Sequence, residues 1–181
     1  MIEDDLKKPQ DQQKPWDWSG ISANPNVTMK FIDDNIDKDW DMDNLSQHAQ
    51  VTLDYIDDSE IKHGASWKIR KVAFNPNITL EMIEDNMLML EEYYWEWKDL
   101  SFNPNITIEF INEHLDENWN WHALSKNPNI TMEIINEYPN YPWKWSGISA
   151  NPNLTMKYIN DNISNMEFQF LSENTFGTVV K

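Results

Sequence analysis

Apolar and polar residues along this chain repeat in one phrase about every 24 residues. In its fullest form the phrase reads Trp-x-Trp-x-x-Leu-Ser-x-Asn-Pro-Asn-Ile-Thr, with Ile or Val at some apolar positions, and a mixed acidic and apolar segment follows it. Self-similarity at such a period is typical of proteins built from stacked repeats. Copies begin at Trp16, Trp40, Trp67, Trp95, Trp119 and Trp143, and a degenerate seventh copy begins at Met166.

The end of each phrase predicts the start of a short helix, which we call helix B. In the fourth copy the hydroxyl of Thr107 is placed to accept a hydrogen bond from a backbone N–H one turn later, as an N-cap does. Ile106 and Ile111 flank this cap at the spacing of a hydrophobic staple. Glu109 falls in the first turn, where the helix dipole favours a negative charge.

The beginning of each phrase predicts another short helix, helix A. Trp97, Leu100 and Ser101 share one face at helical spacing. Asn103 precedes a proline, which disfavours the helical conformation there and ends helix A. We expect Trp95 to extend from the opposite side of the same helix. A helix with two apolar sides can bury both only between neighbours in a stack.

A second interpretation of the Trp-x-Trp alternation is a β-strand, and the period also falls in the range of leucine-rich repeats. The alternation lasts only three residues before helical spacing takes over, which favours helices. The sequence therefore predicts an all-α fold: a short α-solenoid of six two-helix repeats of about 24 residues each, plus a degenerate C-terminal cap. We divide it into a flexible polar tail (1–15), the repeat domain (16–165) and the capping repeat (166–181).

Composition adds a strong negative charge to this picture. The formal net charge is −17, which disfavours nucleic acid as a partner because that binding depends mainly on Lys and Arg. Ten acidic residues and a single Lys lie between Asp33 and Glu60, and a basic cluster follows in the third repeat. One interpretation is a solvated face that keeps the array soluble, and the other is a docking surface for a protein. The candidate interaction residues are Asp33, Asp34, Asp57, Asp58, Lys68, Arg70 and Lys71.

No arrangement of residues indicates catalysis or a cofactor. The chain has no Cys, only four Gly, and four His that lack the spacing of zinc-binding helices. The run from Asp37 to Asp43 resembles the opening of a calcium loop, but Met42 stands where that loop needs Gly and His48 where it needs Glu. An acidic helix start is our interpretation, with a weak cation site as the alternative. We predict no catalytic, cofactor-binding or metal-binding residues.

Nothing in the sequence indicates secretion or a membrane. The N-terminus is charged and lacks the apolar stretch of a signal peptide. No segment approaches the roughly 18 apolar residues that cross a bilayer. We expect an intracellular protein without a membrane partner.

The iterated phrase, including Pro142-Trp143-Lys144-Trp145, resembles tandem-repeat proteins of giant DNA viruses of the mimivirus and marseillevirus type. The resemblance covers roughly residues 15–165. It implies a viral protein located in the host cytoplasm or the virion, and it brings no catalytic residues. The leading hypothesis is a non-enzymatic scaffold whose acidic repeat surface binds a viral or host protein. The alternatives are a structural virion component that self-associates through the open solenoid ends, and an acidic decoy for a host nucleic-acid site.

Overall fold

The structure is a computed structural model that describes residues 5, 8, 14–63, 67–88, 95–172 and 174. Within these residues every regular element is a helix, and the predicted all-α repeat fold is confirmed. Odd-numbered helices are helix A of successive repeats and even-numbered helices are helix B. The helices are α1 Trp18–Ser22, α2 Met29–Asp33, α3 Met42–Ser46, α4 Leu53–His63, α5 Ile69–Val72, α6 Leu80–Leu88, α7 Trp97–Leu100, α8 Ile108–Glu113, α9 Trp121–Ser125, α10 Met132–Glu137, α11 Trp145–Ser149, α12 Met156–Asp161 and α13 Phe168–Leu171, with a 3-10 turn at Ile163–Asn165.

Helix B begins where the sequence predicts. The Thr107 hydroxyl accepts a hydrogen bond from the backbone N–H of Phe110, and the equivalent threonines of the other repeats do the same. Ile106 and Ile111 are fully buried, as the staple requires. The pKa of Glu109 lies below its usual value because its carboxylate accepts from its own backbone N–H and from Thr107. The local signals for this helix are therefore sufficient to define it.

The first Trp of each phrase differs from our expectation, because it lies outside helix A. Helix α9 begins at Trp121, and Asn120 before it has an extended backbone (φ −88°, ψ 94°). The indole of Trp119 therefore reaches back, and its Nε1 donates to the carbonyl of His114 at 2.8 Å. Trp40 and Trp143 make the same bond to the carbonyl five residues earlier. The first Trp thus closes the end of the preceding helix B.

Neighbouring repeats are in contact through two indoles wherever one repeat has the second Trp of the phrase and the next repeat has the first. The second Trp of one repeat meets the first Trp of the next edge to face, as in Trp97 and Trp119, whose ring centroids are 4.9 Å apart at 67°. The corresponding centroid distances at the first and fifth junctions are 5.0 and 5.1 Å. Edge-to-face geometry is favourable beyond the area that it buries. The aromatic residues of the phrase thus hold adjacent repeats together.

Helices A also pack directly on one another, α1 on α3, α3 on α5, α9 on α11 and α11 on α13. A fully buried serine accompanies these contacts. The Ser125 hydroxyl donates to the carbonyl of Trp121 at 2.6 Å and accepts from the backbone N–H of Lys144 at 2.9 Å. Ser22, Ser46, Ser101 and Ser149 accept from the equivalent N–H of the next repeat. The third repeat has Ala73 at this position and lacks the hydroxyl.

In the third to sixth repeats, the asparagine before the proline links the repeat to the one before it. The side-chain amide of Asn151 donates to the carbonyls of Ser125 and Ile130, both at 2.8 Å, while its oxygen accepts from the N–H of Asn153. The second asparagine of the motif also donates to backbone carbonyls of the preceding repeat. These two ladders give backbone carbonyls of the preceding repeat a side-chain donor, and the bonds of the first asparagine are buried.

The ladder also includes the irregular copies. His48 stands in the place of the first asparagine, and its Nε2 lies 3.0 Å from the carbonyl of Asn24 while its Nδ1 accepts from the N–H of Gln50. In the seventh copy the amide of Asn174 donates to the carbonyls of Ser149 and Asn151. Both copies are therefore in register with the others. The extra residues of the second and third repeats lengthen α4 and α6.

The predicted flexible tail lies mostly outside the described residues, and its flexibility stays a prediction. Asp5 within it is 4% exposed and bonded to the first repeat. Its carboxylate accepts from the Lys8 ammonium at 2.6 Å, the Lys14 backbone N–H at 2.8 Å and the Trp16 indole at 3.0 Å. Asp5 thus takes the place that a helix B carbonyl has for later tryptophans.

Candidate interaction surfaces

Helix B presents exposed carboxylates at the same positions in repeat after repeat. The helices B lie side by side, since the Tyr55 hydroxyl of α4 donates to Asp33 of α2 at 2.9 Å and Glu84 of α6 lies beside Glu113 of α8. We call the exposed carboxylates of the successive helices B the acidic stripe. Its members are Asp33, Asp34, Asp54, Asp57, Asp58, Glu81, Glu84, Asp85, Glu109, Glu113, Glu133, Glu137 and Asp161.

The structure places all four predicted acidic residues in this stripe. Asp33 accepts from Tyr55, and Asp34 pairs with Lys30. The pKa of Tyr55 is raised, first by its burial and then by this hydrogen bond to a carboxylate. Asp57 and Asp58 are exposed on α4. We did not foresee that the stripe extends through the third to sixth repeats, although acids recur at matching positions of the phrase.

The predicted basic residues lie apart from these acids, on helix A of the third repeat. Arg70 already has partners within the chain, because its guanidinium donates to Asp99 at 2.7 Å and lies 3.2 Å from Glu96. Both partners belong to the fourth repeat, at the junction where Ala73 replaces serine. Arg70 thus joins two repeats. The seven candidate residues consequently form an acidic part and a basic part on different helices.

An aromatic and basic surface lies at helix A and the following turn of the third to fifth repeats, and of its residues only Lys71 was predicted. The rings of Phe74 and Phe102 lie 4.8 Å apart at 30°. The Lys71 ammonium lies 4.8 Å from the Phe74 centroid, and the Lys126 ammonium lies 5.4 Å from the Phe102 centroid. We call these four residues the Phe74–Phe102 patch. The signal for it was visible as two phenylalanines at the position before the asparagine of the motif.

The histidines occupy packing positions in the described structure. His114 stacks beside Trp97 and Phe110, with centroid distances of 4.9 and 4.6 Å. The Nδ1 of His122 lies 2.8 Å from the hydroxyl of Ser146 in the next repeat. His48 is part of the asparagine ladder. His122 and His48 thus join neighbouring repeats, whereas His114 packs within its own repeat.

One group among the described residues has the composition of a metal site. The ligand atoms of Glu84, Glu113 and His114 lie within 4.8 Å of one another. Both glutamates are exposed on the acidic stripe, and we assign the group no metal. In the calcium-like run, the Asp41 carboxylate caps α3 by accepting from the N–H groups of Asp43 and Asn44. The helix start that we expected there is therefore observed.

We compared the chain with known proteins and structures. No protein-family model, no curated protein and no solved structure matches the chain. In the described part of the chain, none of the helices has the length and apolar character needed to span a bilayer.

Proposed function

We propose that this chain is a non-enzymatic interaction scaffold whose acidic stripe binds a basic segment of another protein. The observation that carries the proposal is the recurrence of exposed carboxylates at equivalent positions of six successive helices B. Lys30, Lys62 and Lys157 are the lysines that lie within these helices, and Lys30 and Lys157 each pair with an acid one turn away. The stripe is therefore negative along its length, and it favours a partner with regularly placed cations.

The repeat spacing suggests the form of that partner. Packed helices lie about 8–10 Å apart, so the carboxylates recur at about that distance. An extended chain in the polyproline II conformation rises about 3.1 Å per residue with three residues per turn, so every third side chain lies on the same side and would meet the next repeat. We propose an extended partner segment that carries Lys or Arg at about every third residue.

Fluorescence anisotropy with a labelled peptide of this pattern tests the proposal. We expect saturable binding at low salt that weakens as salt is added, since exposed charges are screened over about 8 Å at physiological ionic strength. Exposed ion pairs contribute about 0.2–1 kcal/mol each, so neutralising four acids should weaken binding about fourfold or more. The test variant carries D33N, D34N, D57N and D58N.

A matched control removes four charges elsewhere. Asp39, Asp43, Asp116 and Glu117 are exposed and lie outside the stripe, so their neutralisation should leave affinity within about threefold of the parent. Equal losses in both variants would show that only net charge matters. Absence of binding, together with no protein enriched from host lysate over the neutralised variant, would refute the scaffold.

A second candidate function is a self-associating structural component. It is favoured by the exposed amides of Asn24 and Asn26 in the first repeat, whose equivalents in later repeats bond to the preceding repeat. A second copy stacked end to end would supply such a repeat. Sedimentation velocity at increasing concentration tests this, and a monomer throughout would refute it.

The source and location of the chain are also proposals. The repeat phrase supports an origin among giant DNA viruses, with the protein in the host cytoplasm or in the virion. Its presence in purified particles, measured by mass spectrometry, would separate the structural candidate from the scaffold.

A further inference from the structure

We propose that the Phe74–Phe102 patch is a second binding surface, and that it takes an acidic peptide segment containing an aromatic residue. The patch lies on helix A and the following turn of the third to fifth repeats. It is distinct from the acidic stripe on helix B. The inference therefore goes beyond the proposed function, and each surface can be tested without the other.

The two phenylalanines are not needed by the repeat fold. They occupy the position before the asparagine of the motif. The other described copies that contain this position have Ala23, Gln47, Lys126 and Ala150 there. Small and polar side chains are thus compatible with the fold. Phe102 nevertheless remains 36% exposed, and Phe74 is half-buried. A partly exposed aromatic pair at a position that does not require it indicates a binding role.

The charge around the pair selects the partner. The chain carries −17 overall, yet ammonium groups lie over both phenylalanine rings. Lys98 is exposed on α7 between the two repeats that supply Lys71 and Lys126. The nearby carboxylate of Asp99 is bonded to Arg70. The surface therefore combines apolar area with positive charge, which complements an aromatic ring flanked by carboxylates.

Single-stranded nucleic acid also uses aromatic stacking and cations. It carries a phosphate at every nucleotide, and its affinity depends on how many of these are neutralised. A few lysines on a chain of net charge −17 do not compensate for that repulsion. A short peptide can place two or three carboxylates at the lysines and carry no charge elsewhere. The observations therefore favour the acidic peptide.

The test uses the full chain and a labelled peptide, Gly-Ser-Asp-Glu-Trp-Glu-Asp-Gly-Ser, in fluorescence anisotropy at low salt. The same peptide with Ala for Trp, and a twelve-residue oligothymidylate, serve as comparison probes. We expect saturable binding of the Trp peptide and about tenfold weaker binding of the Ala peptide, as for loss of an aromatic anchor. Phe102→Ala and Lys126→Glu should each weaken the Trp peptide about tenfold.

Lys157→Glu is the matched control, because it makes the same charge change on an exposed helix B residue. It should change affinity less than twofold, and neutralising Asp33, Asp34, Asp57 and Asp58 should not weaken binding. Thermal unfolding by circular dichroism establishes that the variants fold; if Phe102→Ala unfolds, Lys126→Glu decides. Absence of Trp-peptide binding, equal binding of the Ala peptide, an equal loss in Lys157→Glu, or tighter binding of oligothymidylate would each overturn the proposal.

Discussion

The asparagine ladder makes a sharp prediction for Asn103→Asp at the centre of the array. Asn103 is fully buried, and its amide nitrogen donates to the carbonyls of Ala73 at 2.8 Å and Ile78 at 3.1 Å. Its oxygen accepts from the N–H of Asn105 at 2.8 Å. Aspartate has the same shape and keeps that acceptor. It replaces the donating nitrogen by an oxygen, so both carbonyls of the preceding repeat face a carboxylate.

The expected cost is that of an uncompensated buried charge, about 3–5 kcal/mol. Each buried carbonyl that loses its donor contributes about 1–3 kcal/mol, which gives a similar sum. For a chain of this length, 1 kcal/mol shifts the unfolding temperature by about 2–4 °C. We therefore expect the midpoint of Asn103→Asp to fall by roughly 6–20 °C at neutral pH.

The pH dependence gives an independent check. Burial beside carbonyl oxygens should raise the folded-state pKa of the new carboxyl above its unfolded value of about 3.9. The folded state then binds more protons, so the penalty is full above the raised pKa and shrinks as pH falls through it. A protonated carboxyl can also donate to one carbonyl. The deficit relative to the parent should be smaller at pH 5 than at pH 8.

Asn24→Asp is the control at the same repeat position. Asn24 is exposed, and its oxygen accepts from the N–H of Asn26, a bond that aspartate keeps. Its effect should stay within about 0.5 kcal/mol, as for ordinary surface substitutions. Urea unfolding followed by circular dichroism gives both values. Similar losses at the two positions, or a deficit for Asn103→Asp that does not change with pH, would refute the ladder argument.

Three further predictions concern packing and capping. A Cβ at Gly147 would lie 2.5 Å from a backbone oxygen of the preceding helix A, whereas at Gly20 it would meet only the Asp17 side chain. Gly147→Ala should therefore lower the free energy of unfolding by about 1–3 kcal/mol or more, and Gly20→Ala by no more than about 1 kcal/mol. Equal urea midpoints for the two variants would contradict this. Trp97→Ala should cost about 3 kcal/mol, the lower end for a core aromatic, because Trp97 is only half-buried; an unchanged thermal midpoint would show that its contacts do not stabilise the stack. The pKa of Asp5 is lowered to about 2, mainly by its bond to the Lys8 ammonium, so the carboxylate stabilises the fold above pH about 3.9 and loses this effect as pH falls through about 2. Asp5→Asn should therefore be less stable than the parent at pH 6 and equally stable near pH 2. A deficit in stability that persists at pH 2 would exclude the carboxylate as the cause.

The sequence was sufficient for the features that depend on neighbours along the chain. Helix B follows from Thr107, Ile106 and Ile111, which lie within one or two turns of one another. The end of helix A follows from the restriction that proline places on Asn103. The period itself indicated stacked helices. Each of these effects acts over a few residues, so the residue types and their spacing are enough to predict them.

The acidic stripe could be predicted only in part, because only some of its residues lie close together in the sequence. Asp33, Asp34, Asp57 and Asp58 stand out as a local concentration of charge. The carboxylates of later repeats are sparse in sequence and become one surface only because successive helices B lie side by side. The Phe74–Phe102 patch arises in the same way, from two residues 28 positions apart whose rings lie 4.8 Å from each other.

The tertiary structure alone decided how the repeats are joined. Trp119 fits a position on helix A by spacing, yet it lies outside the helix and its indole donates to the carbonyl of His114 at the end of the preceding helix B. The amide of Asn151 and the hydroxyl of Ser125 likewise bond to backbone groups about one repeat away. Backbone donors and acceptors are the same for every residue type, so the sequence does not reveal which of them a side chain will meet. The sequence therefore determines the helices and their period. The stacked fold determines which backbone groups of a neighbouring repeat each recurring side chain bonds.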